Sequence, residues 1–526
     1  MMIDNGAALS RFELWSLRED VSVEPEPGDG PVRLHGRWGE VTIERPPPLV
    51  REALLRMRLG PVSLGNAFSA REAPAERAAL FDVLETLQPL VVRSLGLESG
   101  QPLLSVVPLT GRARFRPVRL AADVPLRLST FAELRTDGSE YHLESPLALH
   151  RVVLHRPEAV ELIAHLAAPT TPAAFTAALA TVAPSGVAAA LAYLAGAGMV
   201  VRAQAPPSHP PVFAEDTDPA LIGWSPTDLM FHTRSTLGRH DRDFGITYPT
   251  GETVSPEPVV KPQADRYVPL HRPRWEDMCA ADPPLCAAVE GRRTMRRHAA
   301  DPITVAQLGD LLYRTARVRS VLAVAPGGQG GPQAPRGGDE LSDRPYPSHG
   351  GCYELELYVT AGDCTGLPRG IYHYDPLGHR LEPVSADRAI VSGQLNAARV
   401  PTAMDGQPPV LITMTARFRR LSWKYEGMAF RLVLMHAGAL IQNLYLVCTA
   451  MGLAPCAVGA VCQDTTARGF GTDWRVEPTI AQFIVGAEPA ARDQVPDGRP
   501  EGSDGTWRDV NDAQWAGLGR ARRRRG

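Results

Sequence analysis

The stretch P-Y-P-S-H-G-G-C-Y-E-L at residues 345–355 joins a Pro/Gly-rich turn to the beginning of an apolar strand. The side chains of the turn are small, so a flat ring system could lie directly on its backbone. Amide and hydroxyl donors would then be available to ring nitrogens and oxygens. In isolation the stretch is more typical of an ordinary loop-to-strand turn. Its interpretation therefore depends on two further segments, at 290–297 and 423–427.

The segment E-G-R-R-T-M-R-R at 290–297 is a cluster of cations that opens a helical pattern. Guanidinium groups offer paired N–H donors that match phosphate oxygens, which favours a phosphate-bearing ligand. Alone, the cluster is more typical of a solvated basic turn. Its candidate ligand-binding residues are Arg292, Arg293, Thr294, Arg296 and Arg297.

The segment W-K-Y-E-G at 423–427 places the ammonium of Lys424 beside the phenol of Tyr425, just before a long apolar helical pattern. A nearby cation stabilises a phenolate, so we expect the pKa of Tyr425 to be lowered. The phenol could then act as a general base near neutral pH. Helix N-termini are places where polar groups gather around ligands. Together, the three segments predict a flavin enzyme.

Composition excludes several other classes. Hydrophobic residues make up 44% of the 526 residues and the formal net charge is -3, which leaves no basic excess for nucleic-acid binding. The seven cysteines show no Cys-x-x-Cys and no zinc-type spacing, so we expect no metal. The odd cysteine number and the lack of a signal-peptide pattern favour reduced thiols and a cytoplasmic location.

Two uncharged stretches, 166–201 and 433–462, could be mistaken for membrane spans. Prolines divide the first into short helices. The second contains His436, Gln442 and Asn443 and is interrupted by Pro455, so we expect a helix buried on all sides of a globular fold. The sequence therefore predicts no membrane segment.

The N-terminal part shows the same order of patterns twice, strands followed by helices. We predict two winged-helix-like α+β modules, at 1–120 and 121–205, with a hairpin at T-D-G-S (136–139) in the second. The helical segment 185–198 has no Arg or Lys, which argues against DNA binding. Docking of a leader peptide and plain scaffolding both remain open.

Residues 206–275 are rich in proline and predict a connector that wraps a neighbouring domain. Residues 276–490 form the predicted chemical domain, and 491–526, ending in R-A-R-R-R-R-G, a disordered tail. Residues 325–345 predict a mobile loop, either a lid or an insertion. In the chemical domain we expect strands at 355–360, 370–374, 410–416 and 482–485 and helices near 303–317, 386–397 and 427–451.

Residues 276–488 resemble the SagB-type dehydrogenases, a flavin-dependent branch of the nitroreductase-like fold. R-R-T-M-R resembles the family's Arg-x-Ser/Thr-x-Arg motif, and P-S-H-G-G-C-Y-E-L-E-L-Y-V resembles its P-S-x-G-x-x-x-x-x-E-x-Y-V segment. G-L-P-R-G-I-Y-H-Y-D-P at 366–376 and W-S-P-T-D-L-M-F-H-T-R-S at 224–235 are also similar to family segments. Thr294 stands where serine is more usual, which keeps the hydroxyl.

The resemblance implies roles for particular residues. FMN would be bound by Arg292, Arg293, Thr294 and Arg296, with Pro347, Ser348 and Gly350 beside the isoalloxazine. Gly459, in M-G-L-A-P-C-A-V-G (451–459), would contact its other face. Lys424 and Tyr425 match the pair implicated in azoline oxidation, where Tyr425 would remove a ring proton and FMN would accept the hydride.

The resemblance also implies an activity and partners. The protein would oxidise thiazoline or oxazoline rings to thiazoles or oxazoles in a ribosomally made precursor peptide, alongside a cyclodehydratase and as a homodimer with FMN between subunits. The order of the N-terminal modules is similar to that in cyanobactin-type oxidases. One alternative is an NAD(P)H-dependent reductase of nitro, quinone or dehydroamino acid acceptors. Another is a non-catalytic peptide-binding scaffold.

Overall fold

The computed structural model describes residues 13–490, except 29, 67–73, 97–100, 180–181, 205–209, 252–256 and 324–339, together with residues 512, 514, 515, 517 and 518. The chain divides into two compact units, Met1–Arg242 and Asp243–Gly526. The predicted loop at 325–345 lies outside the described residues up to residue 339. Almost all of the predicted tail at 491–526 also lies outside them.

The first unit alternates strands with short helices. In chain order its elements are β1 (Glu13–Leu17), β2 (Ser22–Pro25), β3 (Val32–Gly36), β4 (Gly39–Ile43), α1 (Pro48–Leu59), α2 (Pro74–Thr86), β5 (Val91–Gly96), β6 (Pro102–Pro108), β7 (Leu126–Leu128), β8 (Glu133–Asp137), β9 (Glu140–Glu144), β10 (His150–Leu154), α3 (Pro157–His165), α4 (Pro172–Ala178), α5 (Pro184–Gly196), β11 (Val200–Arg202), α6 (Ala214–Thr217) and α7 (Pro226–Arg234). The predicted hairpin is present as β8–β9, and Gly138 in its turn has a φ of 61°.

Strands from both predicted N-terminal modules share one sheet. Within the described residues its order is β1-β5-β6-β10-β9-β8, and β6 pairs antiparallel with β10, placing Val106 opposite Val152. The predicted boundary at residue 120 therefore does not separate two units. One apolar core lies within residues 15–91, and a second core, within residues 95–200, crosses that boundary. Local patterns show that a segment is a strand but not which distant strand it pairs with. The winged-helix type stays a prediction.

Half of the predicted connector belongs to this first unit, because its ion pairs reach back into the sheet. Arg234 and Arg135 each donate to the buried carboxylate of Glu144 at 2.9 Å. Burial would raise the pKa of Glu144, but the two arginines outweigh that effect and hold the pKa at about 2. Asp241, another connector residue, forms an ion pair with Arg18 at 3.1 Å.

The second unit is built on one antiparallel sheet, whose order within the described residues is β13-β18-β17-β16-β19-β22-β21. The elements are β12 (Gly245–Ile246), β13 (Val268–Pro269), α8 (Trp275–Ala281), α9 (Leu285–Gly291), α10 (Val305–Ala316), β14 (Ser320–Ala323), β15 (Glu340–Asp343), β16 (Leu355–Ala361), β17 (Gly370–Asp375), β18 (Arg380–Ser385), α11 (Arg388–Thr402), β19 (Val410–Ala416), α12 (Arg419–Ser422), β20 (Tyr425–Glu426), α13 (Ala429–Met451), β21 (Leu453–Val458), α14 (Gln463–Phe470) and β22 (Thr479–Ala487). The predicted α+β class is confirmed.

The helix α13 packs on the sheet through one side. Its inner side contributes residues such as Leu432, Leu440 and Leu444 to the main core. Phe430, Leu434 and Met435 are exposed by 40%, 42% and 52%, so the expected burial on all sides is wrong within one chain. By length and apolar composition α13 could cross a membrane, and half of its most apolar stretch is buried in the fold. The cytoplasmic location stays a prediction.

A buried cation connects the segments that surround the predicted site. Arg420 is 1% exposed and donates to three backbone carbonyls, those of Cys352 (2.8 Å), Glu257 (2.7 Å) and Glu340 (3.2 Å). Burial lowers its pKa to about 10, which leaves it protonated at neutral pH. One side chain thereby holds the connector, β15 and the beginning of β16 in one place.

We expect Arg420→Met to lower the free energy of unfolding by at least about 2 kcal/mol, because the substitution leaves buried carbonyls without a donor. Urea denaturation followed by tryptophan fluorescence measures the change. Arg419→Met is the matched control, since Arg419 is the exposed neighbour on the same helix. Equal losses for the two variants would contradict this role of Arg420.

Candidate functional site

The Pro/Gly-rich turn is a tight left-handed structure between β15 and β16. A single 3-10 turn spans His349–Gly351, and the Ser348 hydroxyl accepts a hydrogen bond from the amide of Tyr353 at 3.0 Å. Gly350 and Gly351 have φ values of 63° and 65°, which residues with a side chain rarely adopt. The sequence therefore needs glycine at both positions to make this turn.

Gly350 lies directly against the lysine–tyrosine pair. A Cβ added at Gly350 would stand 2.8 Å from Tyr425 Oη and 3.2 Å from Lys424 Nζ. Lys424 is 3% exposed and Tyr425 8% exposed. The fold thus brings together two predicted segments that are far apart in sequence. We call Gly350, Lys424 and Tyr425 the Gly350 cluster.

A short piece of the connector fixes the backbone of this pair. Ile246 of β12 pairs antiparallel with Tyr425 of β20, and the Thr247 amide donates to the carbonyl of Lys424 at 3.2 Å. The Thr247 hydroxyl also donates to Glu426 Oε2 at 2.8 Å. The sequence did not predict these contacts, because a strand of two residues leaves no periodic pattern.

The pKa of Tyr425 moves in the direction opposite to the expected one. Burial raises it to about 12, with smaller contributions from Cys352 and Tyr248. The Lys424 ammonium stands 5.7 Å from the centroid of the Tyr425 ring, over its face. The expected lowering by Lys424 is therefore wrong, and the phenol is protonated at neutral pH.

The arginine segment meets the opposite end of α13. Thr294 Oγ1 lies 2.9 Å from Tyr445 Oη, which also accepts a hydrogen bond from the Ala457 amide at 2.9 Å. The Arg292 guanidinium lies over the Tyr445 ring, 5.3 Å from its centroid. Gly459, two residues beyond Ala457, is exposed and faces open space. We call Arg292, Thr294 and Tyr445 the Tyr445 cluster.

The other predicted arginines lie elsewhere. Arg293 pairs with Glu488 at 2.9 Å. Arg296 lines a cavity of about 360 Å³ together with Arg297, Asp363 and Asp405. The predicted phosphate-binding residues are therefore spread over three neighbouring places.

Helix geometry separates the two clusters within one chain. His436, beside the Gly350 turn, and Tyr445 are nine residues apart on α13, which is about two and a half helical turns. They therefore lie on opposite faces of the helix and about 14 Å apart along it. The two clusters therefore meet α13 from opposite sides.

A chain of polar side chains behind the turn was not predicted. His436 Nε2 accepts from the His349 amide at 2.9 Å and lies 2.9 Å from His349 Nδ1, while His436 Nδ1 lies 2.7 Å from Glu354 Oε1. His436 is 2% exposed and Glu354 is fully buried. The available signal was a histidine inside an otherwise apolar helical pattern.

Comparison with known proteins finds a family match within each unit. Residues 289–487 match the nitroreductase family, and residues 126–241 match the family described as cyanobactin oxidase ThcOx. The C-terminal region has a nitroreductase-like fold. The predicted fold of the C-terminal region, the resemblance to cyanobactin-type oxidases and the oxidoreductase class are confirmed.

Individual relatives match part of this chain. The nitroreductase homologue MJ1384 of Methanocaldococcus jannaschii is 28% identical over 32% of this chain and 75% of its own length. The microcin B17-processing protein McbC of Escherichia coli is 30% identical over 27% of this chain. The trifolitoxin-processing protein TfxB of Rhizobium leguminosarum is 25% identical over 26% of this chain. This chain spans 53% of McbC and 38% of TfxB.

The nitroreductase family is flavin-dependent, and the residues present fit such a cofactor. At Gly350 the turn has no side chain, and the place where a Cβ would stand is bordered by Tyr425 Oη and Lys424 Nζ. The exposed guanidinium of Arg292 suits a phosphate, and the open space beside Gly459 leaves room for a ring.

We expect Gly350→Ala to weaken flavin binding at least about tenfold, because the methyl group would displace Tyr425 and Lys424 and cover the turn. Fluorescence titration of the protein with flavin measures this. Gly351→Ala is the matched control: it imposes the same backbone strain, but its Cβ meets Leu341 at 3.4 Å instead. Equal weakening in both variants would mean that strain, not contact with the pair, sets the affinity.

Proposed function

We propose that this protein is an FMN-dependent dehydrogenase that oxidises thiazoline or oxazoline rings to thiazoles or oxazoles in a ribosomally synthesised peptide. The observation that carries the proposal is the buried Lys424–Tyr425 pair, packed against a turn of bare backbone in a nitroreductase-family domain. The names of McbC and TfxB, which process microcin B17 and trifolitoxin, support a peptide substrate.

Aromatising an azoline removes two electrons and two protons from the ring. A bound flavin supplies the two-electron acceptor, and the chain itself has to position the ring and take up a proton. Tyr425, with a pKa of about 12, enters the reaction protonated. It can accept the ring proton only while it transfers its own phenolic proton to another acceptor. The Lys424 ammonium lies over the face of the Tyr425 ring, 5.7 Å from its centroid.

The exposure of each candidate residue and its present contacts indicate which residues would hold FMN. Arg292, Arg296 and Thr294 are the candidates for the phosphate, while Arg293 is already engaged by Glu488. The isoalloxazine would lie on the turn at Pro347, Ser348 and Gly350. Gly459 would border its other face. The phosphate roles rely on side chains that donate hydrogen bonds, and the roles beside the ring rely on small residues.

A shared cofactor site supports the proposed homodimer. The Gly350 and Tyr445 clusters lie on opposite faces of α13, so FMN in contact with both would need one cluster from each of two chains. The exposed apolar residues Phe430, Leu434 and Met435 on α13 offer a surface for such a partner.

The proposed partners follow from the substrate. Azolines arise from cyclodehydration of Cys, Ser or Thr side chains onto the peptide backbone, so a cyclodehydratase would act before this protein. The cyanobactin-oxidase segment at 126–241 is the candidate for holding the leader part of the precursor peptide. Within the part of the chain that the structure describes, its sheet ends in the strand β8, whose outer edge would be the place for strand addition.

We expect Tyr425→Phe to slow azoline oxidation at least about 10²-fold while flavin binding persists, because the substitution removes only the hydroxyl that handles the proton. The measurement is anaerobic bleaching of the flavin by an azoline peptide, together with the loss of about two mass units per ring. Tyr372→Phe is the control, since its hydroxyl donates to the Pro368 carbonyl elsewhere in the domain. A flavin that bleaches only with NADPH would support the reductase instead, and a chain that takes up no flavin would support the scaffold.

A cofactor site shared between two chains predicts how much flavin dimers of two different variants bind. Chains with Thr294→Glu and chains with Gly350→Val should each form dimers without flavin, because every site then lacks one cluster. A heterodimer of the two, purified through different tags, should bind one flavin, because one of its two sites combines both intact clusters. Absorbance at the flavin maximum, normalised to protein, measures this. A heterodimer without flavin would place the cofactor within one chain.

A further inference from the structure

The hydrogen-bonded side chains of Glu354, His436 and His349 have only one consistent arrangement of protons. The backbone amide of His349 is always a donor, so His436 Nε2, its acceptor at 2.9 Å, carries no proton. The proton of the His436 ring is then on Nδ1, which faces Glu354 Oε1 at 2.7 Å. A buried carboxylate thus fixes the tautomer of a buried histidine.

The same logic fixes the orientation of His349. Its Nδ1 lies 2.9 Å from the unprotonated His436 Nε2 and therefore has to be the donor. The two ring planes are inclined by only 29°, with centroids 5.1 Å apart, as suits an in-plane hydrogen bond. In neutral His349, Nε2 then carries a lone pair, and the residue is exposed. Burial, followed by His436, lowers the pKa of His349 and favours this neutral form.

His349 immediately precedes Gly350, whose position for a Cβ is 2.8 Å from Tyr425 Oη. We propose that His349 is the terminal proton acceptor of the dehydrogenation, receiving through Tyr425 the proton that leaves the azoline ring, and that Glu354 and His436 are positioning residues that hold its Nε2 unprotonated. This inference rests on the proposed function and deepens it.

The proton and electron balance is complete. The ring C–H bond breaks, its proton moves to Tyr425 Oη, and the phenol's own proton moves to His349 Nε2. The electron pair of that bond becomes the new ring double bond, while one hydrogen on the adjacent ring carbon would leave as hydride, for which a bound flavin would supply the acceptor. His349 becomes an imidazolium that keeps its Nδ1–H bond to His436, and the negative charge of Glu354 stabilises it.

The first test does not depend on activity. In the full-length protein labelled with ¹⁵N-histidine, His436 should show a protonated Nδ1 and an unprotonated Nε2, with His349 and His436 assigned through His349→Asn and His436→Asn. The ionisable groups that shift the pKa of His349 are His436, which lowers it, and Glu354, which raises it. Glu354→Gln removes the negative charge among them, so the pKa of His349 should fall further. A proton on His436 Nε2, or a His349 pKa unchanged by Glu354→Gln, would overturn the proposal.

The second test uses the flavin-loaded enzyme with an azoline peptide. His349→Ala should slow flavin bleaching about 10²-fold, and added imidazole should restore part of the rate. The double variant Tyr425→Phe/His349→Ala should be no slower than the slower single variant, because both residues serve one proton path. The rate should rise with pH as His349 loses its proton, and in Glu354→Gln this rise should move to lower pH. His271→Ala, at an exposed histidine paired with Asp310, is the control.

The two tests separate the possible failures. A wild-type protein that oxidises no azoline contradicts the proposed function, while the NMR experiment still decides the tautomers. An active enzyme in which His349→Ala keeps the wild-type rate, or is not rescued by imidazole, overturns the role of His349 and leaves the proposed function standing.

Discussion

The arrangement of the C-terminal unit depends on the contact between a bare backbone turn and a buried cation–phenol pair. Gly350 adopts a left-handed conformation at the place where a Cβ would strike Tyr425 Oη, so a larger residue would disturb both the turn and the pair. Arg420 fixes the other side of the turn through the carbonyl of Cys352. On the other side of the pair, β12 pairs with β20 immediately before α13, which fixes the backbone of the pair, as a preorganised site requires.

The helix α13 distributes the chemistry over two faces. One face carries His436 against the turn, and the opposite face carries Tyr445 against the arginine segment. The two clusters of predicted cofactor residues therefore meet α13 from opposite sides. The exposed apolar residues Phe430, Leu434 and Met435 of the same helix are the surface on which the proposed second chain would pack.

Sequence patterns revealed the elements whose signal is local. The strand at Val410–Ala416 and the turn at Gly350 are visible because apolar runs and glycines constrain the nearby backbone. The pairing of β6 with β10 and the bond between His349 and His436, 87 residues apart, depend on contacts that no local pattern encodes. The expected effect of Lys424 on Tyr425 failed for a related reason. Adjacent residues need not direct their charged atoms at each other, and burial was the larger effect.

Burial has two opposing consequences for this site. It holds Tyr425 in one position, but it also raises the pKa of the phenol and so removes its capacity to act alone as a base at neutral pH. A site that needs both a fixed hydroxyl and a proton acceptor has to divide the two tasks between residues. The exposed His349, held by the buried His436 and Glu354, is placed next to the turn where that division is possible. Rigidity and basicity are thus supplied by different side chains of one polar cluster.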